Sequence, residues 1–161
     1  MPIDIDLLVS KIITSRNRML KEDQDMNSDY SIAVHVLALL NAFPEPMSSE
    51  EMAASVGVNP VVVRNVVGHL RRAGLLDTQR GVPGARLTRS ASQITLLDIY
   101  RAVGAPDSVL KLHQKANPAC PVGARIQGVL DAVFEQAQAA MEARLALVRL
   151  SDVTTAIAQV S

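Results

Sequence analysis

The chain has 161 residues, enough for one compact domain plus one extended element, which argues against a multi-domain enzyme. Hydrophobic residues make up 48% of it and aromatic ones 2%, so a core must be built from Leu, Val, Ile and Ala, and the rings of Tyr30, Phe43, Tyr100 and Phe134 are too few for the base-stacking platform that single-stranded RNA needs. The formal net charge of +0 hides polarity: between Pro60 and Arg89, Arg64, Arg71, Arg72, Arg80, Arg86 and Arg89 face only Asp77, a net +5 that makes one local surface basic.

Residues 1–25 form an N-terminal extension, with a short apolar stretch from Ile3 to Ile13 and then a polar run from Ser15 to Asp25. Asp4 and Asp6 stand where a secretory signal would carry basic residues, and no segment approaches about 18 uninterrupted apolar positions, so a cytoplasmic protein without a membrane partner is expected. Asn27 and Ser28 then introduce a helix whose apolar residues Tyr30, Ala33, Val34, Leu37, Leu40 and Phe43 recur at helical spacing, and Phe43-Pro44-Glu45-Pro46 ends it. Ser48 and Ser49 before Glu50 and Glu51 make a capping box for a helix of about two turns that stops at Gly57.

Asn59 and Pro60 supply the cap and first position of a third helix. Val63, Val66, Val67 and Leu70 share its core face, leaving Val61, Val62, Arg64, Asn65 and His69 to point away, and the helix closes at Arg71-Arg72-Ala73-Gly74. Residues 75–80 and 85–88 flank Gly81-Val82-Pro83-Gly84 as a two-stranded hairpin. Thr95-Leu96-Leu97-Asp98 caps a further helix ending at Gly104, residues 105–121 read as a linker, and 122–161 hold a long helix with a near-heptad stripe (Ile126, Val129, Leu130, Val133, Phe134, Ala137, Ala140, Met141, Leu145, Val148). That helix runs to about Leu150, is longer than one small domain needs, and is expected to pack against a second copy; Ser151 caps a short terminal segment.

Helix, short helix, turn, third helix and basic hairpin is the order of a winged helix-turn-helix, a mainly α (α+β) fold over residues 26–104 with a two-stranded wing. The third helix carries Arg64 and Asn65, which can make bidentate bonds to guanine and adenine, beside Asn59, Val61, Val62 and His69. Arg80, Arg86 and Arg89 lie on or beside the wing, where phosphate is neutralised. Sequence-specific binding of double-stranded DNA is the function expected; the alternative is an interaction module whose arginines are merely solvated.

Asn27-Ser28-Asp29-Tyr30-Ser31-Ile32-Ala33, Arg71-Arg72-Ala73-Gly74-Leu75-Leu76, Arg80-Gly81 and Ile94-Thr95-Leu96-Leu97-Asp98-Ile99-Tyr100-Arg101-Ala102-Val103 together resemble the Rrf2 family of bacterial winged-helix regulators. The resemblance implies a homodimer held by the long C-terminal helix, a repressor acting on a palindromic operator, with Val61, Val62, Arg64 and Asn65 at base-contacting positions and Arg80 as the wing arginine. Two departures stand out: the wing lacks a run of glycines, Gly84 being followed by Ala85 and Arg86, and the three cysteines of iron–sulfur members are reduced to Cys120.

Cys120 is the sole cysteine, so no disulfide framework, multi-cysteine metal site or cofactor is expected within one chain. With Pro121 at the first helical position, Cys120 is expected to cap the long helix, whose dipole favours thiolate, and so to be a candidate redox sensor; the alternative is a small buried apolar residue. His35 lies within the first helix and His69 on the outer face of the third, a metal pair of His113 and Cys120 would supply too few ligands per chain, and no Walker loop, Gly-x-Ser-x-Gly, HExxH or dinucleotide fingerprint is present, so no catalytic site is expected.

Overall fold

A computed structural model describes residues 28–78, 84–104, 108–112 and 115–159. The N-terminal extension, Asn27, Arg80, the turn Gly81-Val82-Pro83 and His113 lie outside the described residues. Among those described, six α-helices and one two-stranded antiparallel sheet form the mainly helical, winged arrangement that the sequence predicts.

Helix α1 occupies residues 28–42 and buries Ile32, Ala33, Val36, Leu37 and Leu40. Phe43, placed on the apolar stripe by periodicity, is instead exposed just beyond the helix, because the proline that follows takes it out of helical geometry. Helix α2 (Ser49–Val56) starts at a capping box: Ser48 N donates to Glu51 Oε2 at 2.7 Å and Glu51 N donates to Ser48 Oγ at 3.3 Å. Gly57, at φ 77°, turns the chain into α3 (Pro60–Arg72), where Asn59 Oδ1 accepts from Val61 N at 2.9 Å. Val63, Val66 and Leu70 are fully buried along one side of α3.

After α3, Leu75 N donates back to Leu70 O at 2.9 Å, and strands β1 (Leu76–Asp77) and β2 (Arg86–Leu87) pair with Leu76 opposite Leu87 and Asp77 opposite Arg86. Among the described residues the regular strands are shorter than the predicted hairpin, whose base Thr88 closes with N donating to Leu75 O at 3.2 Å and Oγ1 donating to Gly74 O at 2.6 Å. A single 3-10 turn, Ala91–Gln93, which the sequence did not announce, leads to α4 (Leu96–Ala102) and its Thr95–Asp98 capping box. Tyr30 and Tyr100 meet edge to face at 5.5 Å, and Tyr30 Oη donates to Leu96 O at 3.3 Å, joining α1 to α4.

The C-terminal helix departs from expectation at both ends. Helix α5 is Gly123–Leu147, so Cys120 and Pro121 precede it as a turn instead of forming its cap and first residue. Its far end stops because Val148 is extended and takes Leu96 N on its carbonyl at 2.9 Å, while Leu150 N donates to Ile94 O at 2.9 Å. This stitch delivers Leu150, fully buried, into the core and opens a second helix, α6 (Leu150–Gln159), where the sequence suggested only a short segment capped by Ser151. Asp152 Oδ2 accepts from Arg149 N at 2.8 Å, half of a capping box that marks the new start.

The core thus joins α1, α2, α3, the wing base, α4 and Leu150, whereas none of the 25 residues of α5 is buried. Truncating the side chain that seats the end of α3, Leu70→Ala, is expected to lower the unfolding free energy by about 2–5 kcal/mol, as a urea titration would measure.

Candidate nucleic-acid interface

Because one side of α3 is committed to the core, the opposite side is offered to solvent by geometry alone. Val61, Arg64 and Asn65 are exposed there, Asn59 is exposed at the helix entrance, and His69 is half-buried one turn further along. Val62, expected to point away, is half-buried and packs against the core, since a 13-residue helix set in a cleft loses its flanking positions to neighbours as well as its central stripe. The outward row is therefore narrower than the sequence suggested.

Asn59, Arg64 and His69 are not free rotors. Asn59 spends its carbonyl oxygen on the helix cap, leaving its amide N–H groups available. Arg64 pairs with Glu50 at the start of α2, fourteen residues away in sequence. The Glu50 carboxyl is held below the usual carboxylate range, first by its own backbone N–H and then by Arg64. Arg72 Nη2 and His69 Nδ1 are 3.1 Å apart; with the guanidinium as donor, the histidine is the tautomer that carries its proton on Nε2.

The arginines of the basic stretch are equally differentiated. Arg71 Nη1 donates to Thr78 Oγ1 at 3.2 Å, tying α3 to the wing. Arg89 pairs with Asp98 at 3.2 Å, so an acid beyond the sequence window tempers that charge, as Glu50 tempers Arg64. Arg86 is exposed on β2 and forms no ion pair among the described residues, which leaves its guanidinium open to an anion. Sequence distance concealed both acids; only packing brings them onto the basic face.

The wing is fixed to the domain by a tight contact. Ala85 N donates to Met47 O at 3.4 Å, and a Cβ on Gly84, whose φ is 114°, would lie 2.2 Å from Pro46 Cβ and 2.8 Å from its carbonyl carbon. The α1–α2 connection therefore buttresses the wing base, and only glycine fits. At the other end of the chain, exposed Cys120 faces the first turn of α5, where the backbone N–H of Gly123 and then of Val122 hold its thiol below the ordinary range. In the single chain Cys120 is exposed, where the alternative reading had it buried.

A short helix packed on an outward-facing second helix, followed by an anchored hairpin, defines a winged-helix DNA-binding protein. The comparisons with known proteins agree. A family model named Rrf2, described as "Iron-dependent Transcriptional regulator", matches residues 26–156, and the chain belongs to the Rrf2 family of transcriptional regulators. YwnA of Bacillus subtilis (strain 168), an HTH-type transcriptional regulator by name, is 44% identical over 128 residues, covering 80% of this chain and 96% of its own. A crystal structure described as that of a DNA-binding protein superposes with a TM-score of 0.65 at 45% identity, covering 78% of this chain and 97% of that one. At 20% and 22% identity, CymR of B. subtilis (TM-score 0.58, covering 79% of this chain and 93% of that one) and T. potens IscR (TM-score 0.60, covering 80% and 85%) share the fold. The chain is a DNA-binding transcriptional regulator, and the alternative of an interaction module falls away.

The iron in the family's description does not fit this chain's donors. Cys120 is the sole thiol, and among the described residues no group of three or more His, Cys, Asp and Glu side chains is placed to hold a metal ion. No helix among them is long and apolar enough to cross a membrane.

The Gly84–Pro46 contact makes a direct forecast. Gly84→Ala places a side chain both in a left-handed conformation and against backbone, and is expected to cost about 1–3 kcal/mol. Thermal melting should show the loss, and fluorescence anisotropy should show weakened duplex binding as the wing shifts.

Proposed function

We propose that the chain acts as a homodimeric repressor, two copies of α3 entering successive major grooves of a palindromic operator while the wings lie on the flanking backbone or minor groove. The observation that carries this reading is the solvent-facing row of α3. Arg64 suits guanine, Asn65 suits adenine and the exposed Val61 suits a thymine methyl, with Asn59 at the helix entrance and His69 one turn further along. Arg86, with Arg80 and Arg89, neutralises phosphate. The protein works in the cytoplasm by occupancy, without catalysis or a cofactor, and its partners are duplex DNA and a second copy of itself.

The dimer reading rests on α5. At 25 residues it is about 37 Å long, yet none of its residues is fully buried within its own chain. Val129 and Val133, one turn apart, are 60% and 52% exposed, an apolar stripe that a second α5 would cover. Within the chain a polar contact ties α5 to α4, Arg101 Nη2 donating to Glu142 Oε2 at 2.9 Å, and Gln138 Nε2 braces that carboxylate from within α5, donating to Glu142 Oε1 at 2.9 Å. The double variant Val129→Asp with Val133→Asp is therefore expected to fold but sediment as a monomer. Its operator affinity should fall by at least about tenfold, because the second half-site no longer contributes. A dimer in sedimentation velocity would overturn this interface.

Cys120 is the proposed point of modulation, through oxidation or alkylation of its thiolate at the N-terminal end of α5. Lowering a thiol's pKa raises its thiolate fraction at neutral pH more steeply than it lowers intrinsic nucleophilicity. Iodoacetamide should consequently label Cys120 faster at pH 7 than it labels an unstructured cysteine peptide, the difference closing as pH rises above the ordinary thiol pKa. Equal rates at pH 7 would remove the basis for this modulation.

A further inference from the structure

We infer that Glu50 is a specificity-determining residue, a carboxylate that holds the Arg64 guanidinium in the orientation that reads guanine. The inference rests on the reading above, in which Arg64 meets a base.

Two acids stand in the first turn of α2, and they are not equivalent. Glu51 is consumed by the capping box, its Oε2 taking the Ser48 N–H at 2.7 Å and the Ser48 hydroxyl at 2.8 Å. Glu50 has no part in that box and reaches across to Arg64 on α3. The pair spans the two helices of the DNA-binding motif and lies in the open, its side chains 54% and 61% exposed for Arg64 and Glu50. A pair so exposed contributes little to stability, so the fold does not depend on it.

An acid beside the recognition helix is at first sight a poor choice, since it repels phosphate. What it offers is order. A free arginine loses considerable rotamer entropy on docking to a base. A guanidinium already held at one corner loses less, and Arg64 is held by Nη2 alone, to Glu50 Oε1. Glu50 Oε1 takes one of the two Nη2 hydrogens; the other, together with the neighbouring N–H on the same edge of the guanidinium, still offers a two-donor edge to guanine O6 and N7. Glu50 thus trades general attraction to DNA for discrimination at one base pair in each half-site.

That trade has a signature no structural role would share. Duplexes enriched by the protein from a random-sequence library would supply a reference site, and each position of it would then be varied in competition assays with wild type, Glu50→Gln, Glu50→Ala and Arg64→Ala. The amide of Glu50→Gln still accepts a hydrogen bond, so discrimination at one G·C position should fall in the order wild type, Glu50→Gln, Glu50→Ala, by about tenfold overall. Other positions and the melting temperature should hold, while affinity for unrelated duplex rises at low salt as a negative charge is removed. Wild-type discrimination in both Glu50 variants, with Arg64→Ala defective, would overturn the inference and leave the Arg64 contact standing. A uniform loss at all positions with a lowered melting temperature would also overturn it, as a structural role. Wild-type discrimination by Arg64→Ala would instead remove the contact on which the inference is built.

Discussion

Burial of Val63, Val66 and Leu70 along one side of α3 decides which of its side chains the protein can show to DNA. Three aliphatic residues at helical spacing, each without solvent contact, cannot be rotated outward without opening a cavity, so the helix is locked about its own axis. Everything functional on α3 inherits its direction from that lock. The caps reinforce it from both ends: Asn59 and Pro60 set where the helix begins, and the return of Leu75 N to Leu70 O sets where the wing departs.

Much of this was legible in the residue order, because the signals were local. Capping boxes at Ser48–Glu51 and Thr95–Asp98, the Asn59-Pro60 start, and Gly57 and Gly74 at positive φ act within a few residues of themselves. What escaped was long-range. The break between α5 and α6 has no proline or glycine to mark it; it exists because Val148 and Leu150 pair with Ile94 and Leu96, some fifty residues earlier in the chain. Asp152, taking the Arg149 N–H, was the one local hint. The position of Cys120 was misjudged for a related reason: the Asn117 carbonyl takes Cys120 N at 3.1 Å and lies 2.3 Å from where a Cβ on Gly123 would sit, so the turn closes over the start of α5 and delays it.

The charge reading needs the same revision. A run of residues with net +5 looked uniformly basic, yet Glu50 and Asp98 fold onto it and pair with Arg64 and Arg89. The interface is a patterned surface, with tethered guanidinium groups beside Arg86, which has no ion pair among the described residues, and such patterning suits discrimination better than bulk attraction does. Helix α5 enters this picture through the proposed dimer. Its unburied apolar stripe has no use in an isolated chain, and a second copy would set the spacing between the two α3 helices.

The most direct test of the account is enrichment of genomic fragments by the purified protein, followed by the affinity of the best fragment across a salt series. The account predicts a two-fold symmetric sequence with half-sites about one helical turn apart, about 34–36 Å between centres. It also predicts two chains per duplex and a log affinity that falls linearly with log salt as counterions are released. Recovery of no common sequence, with binding confined to low salt, would contradict it.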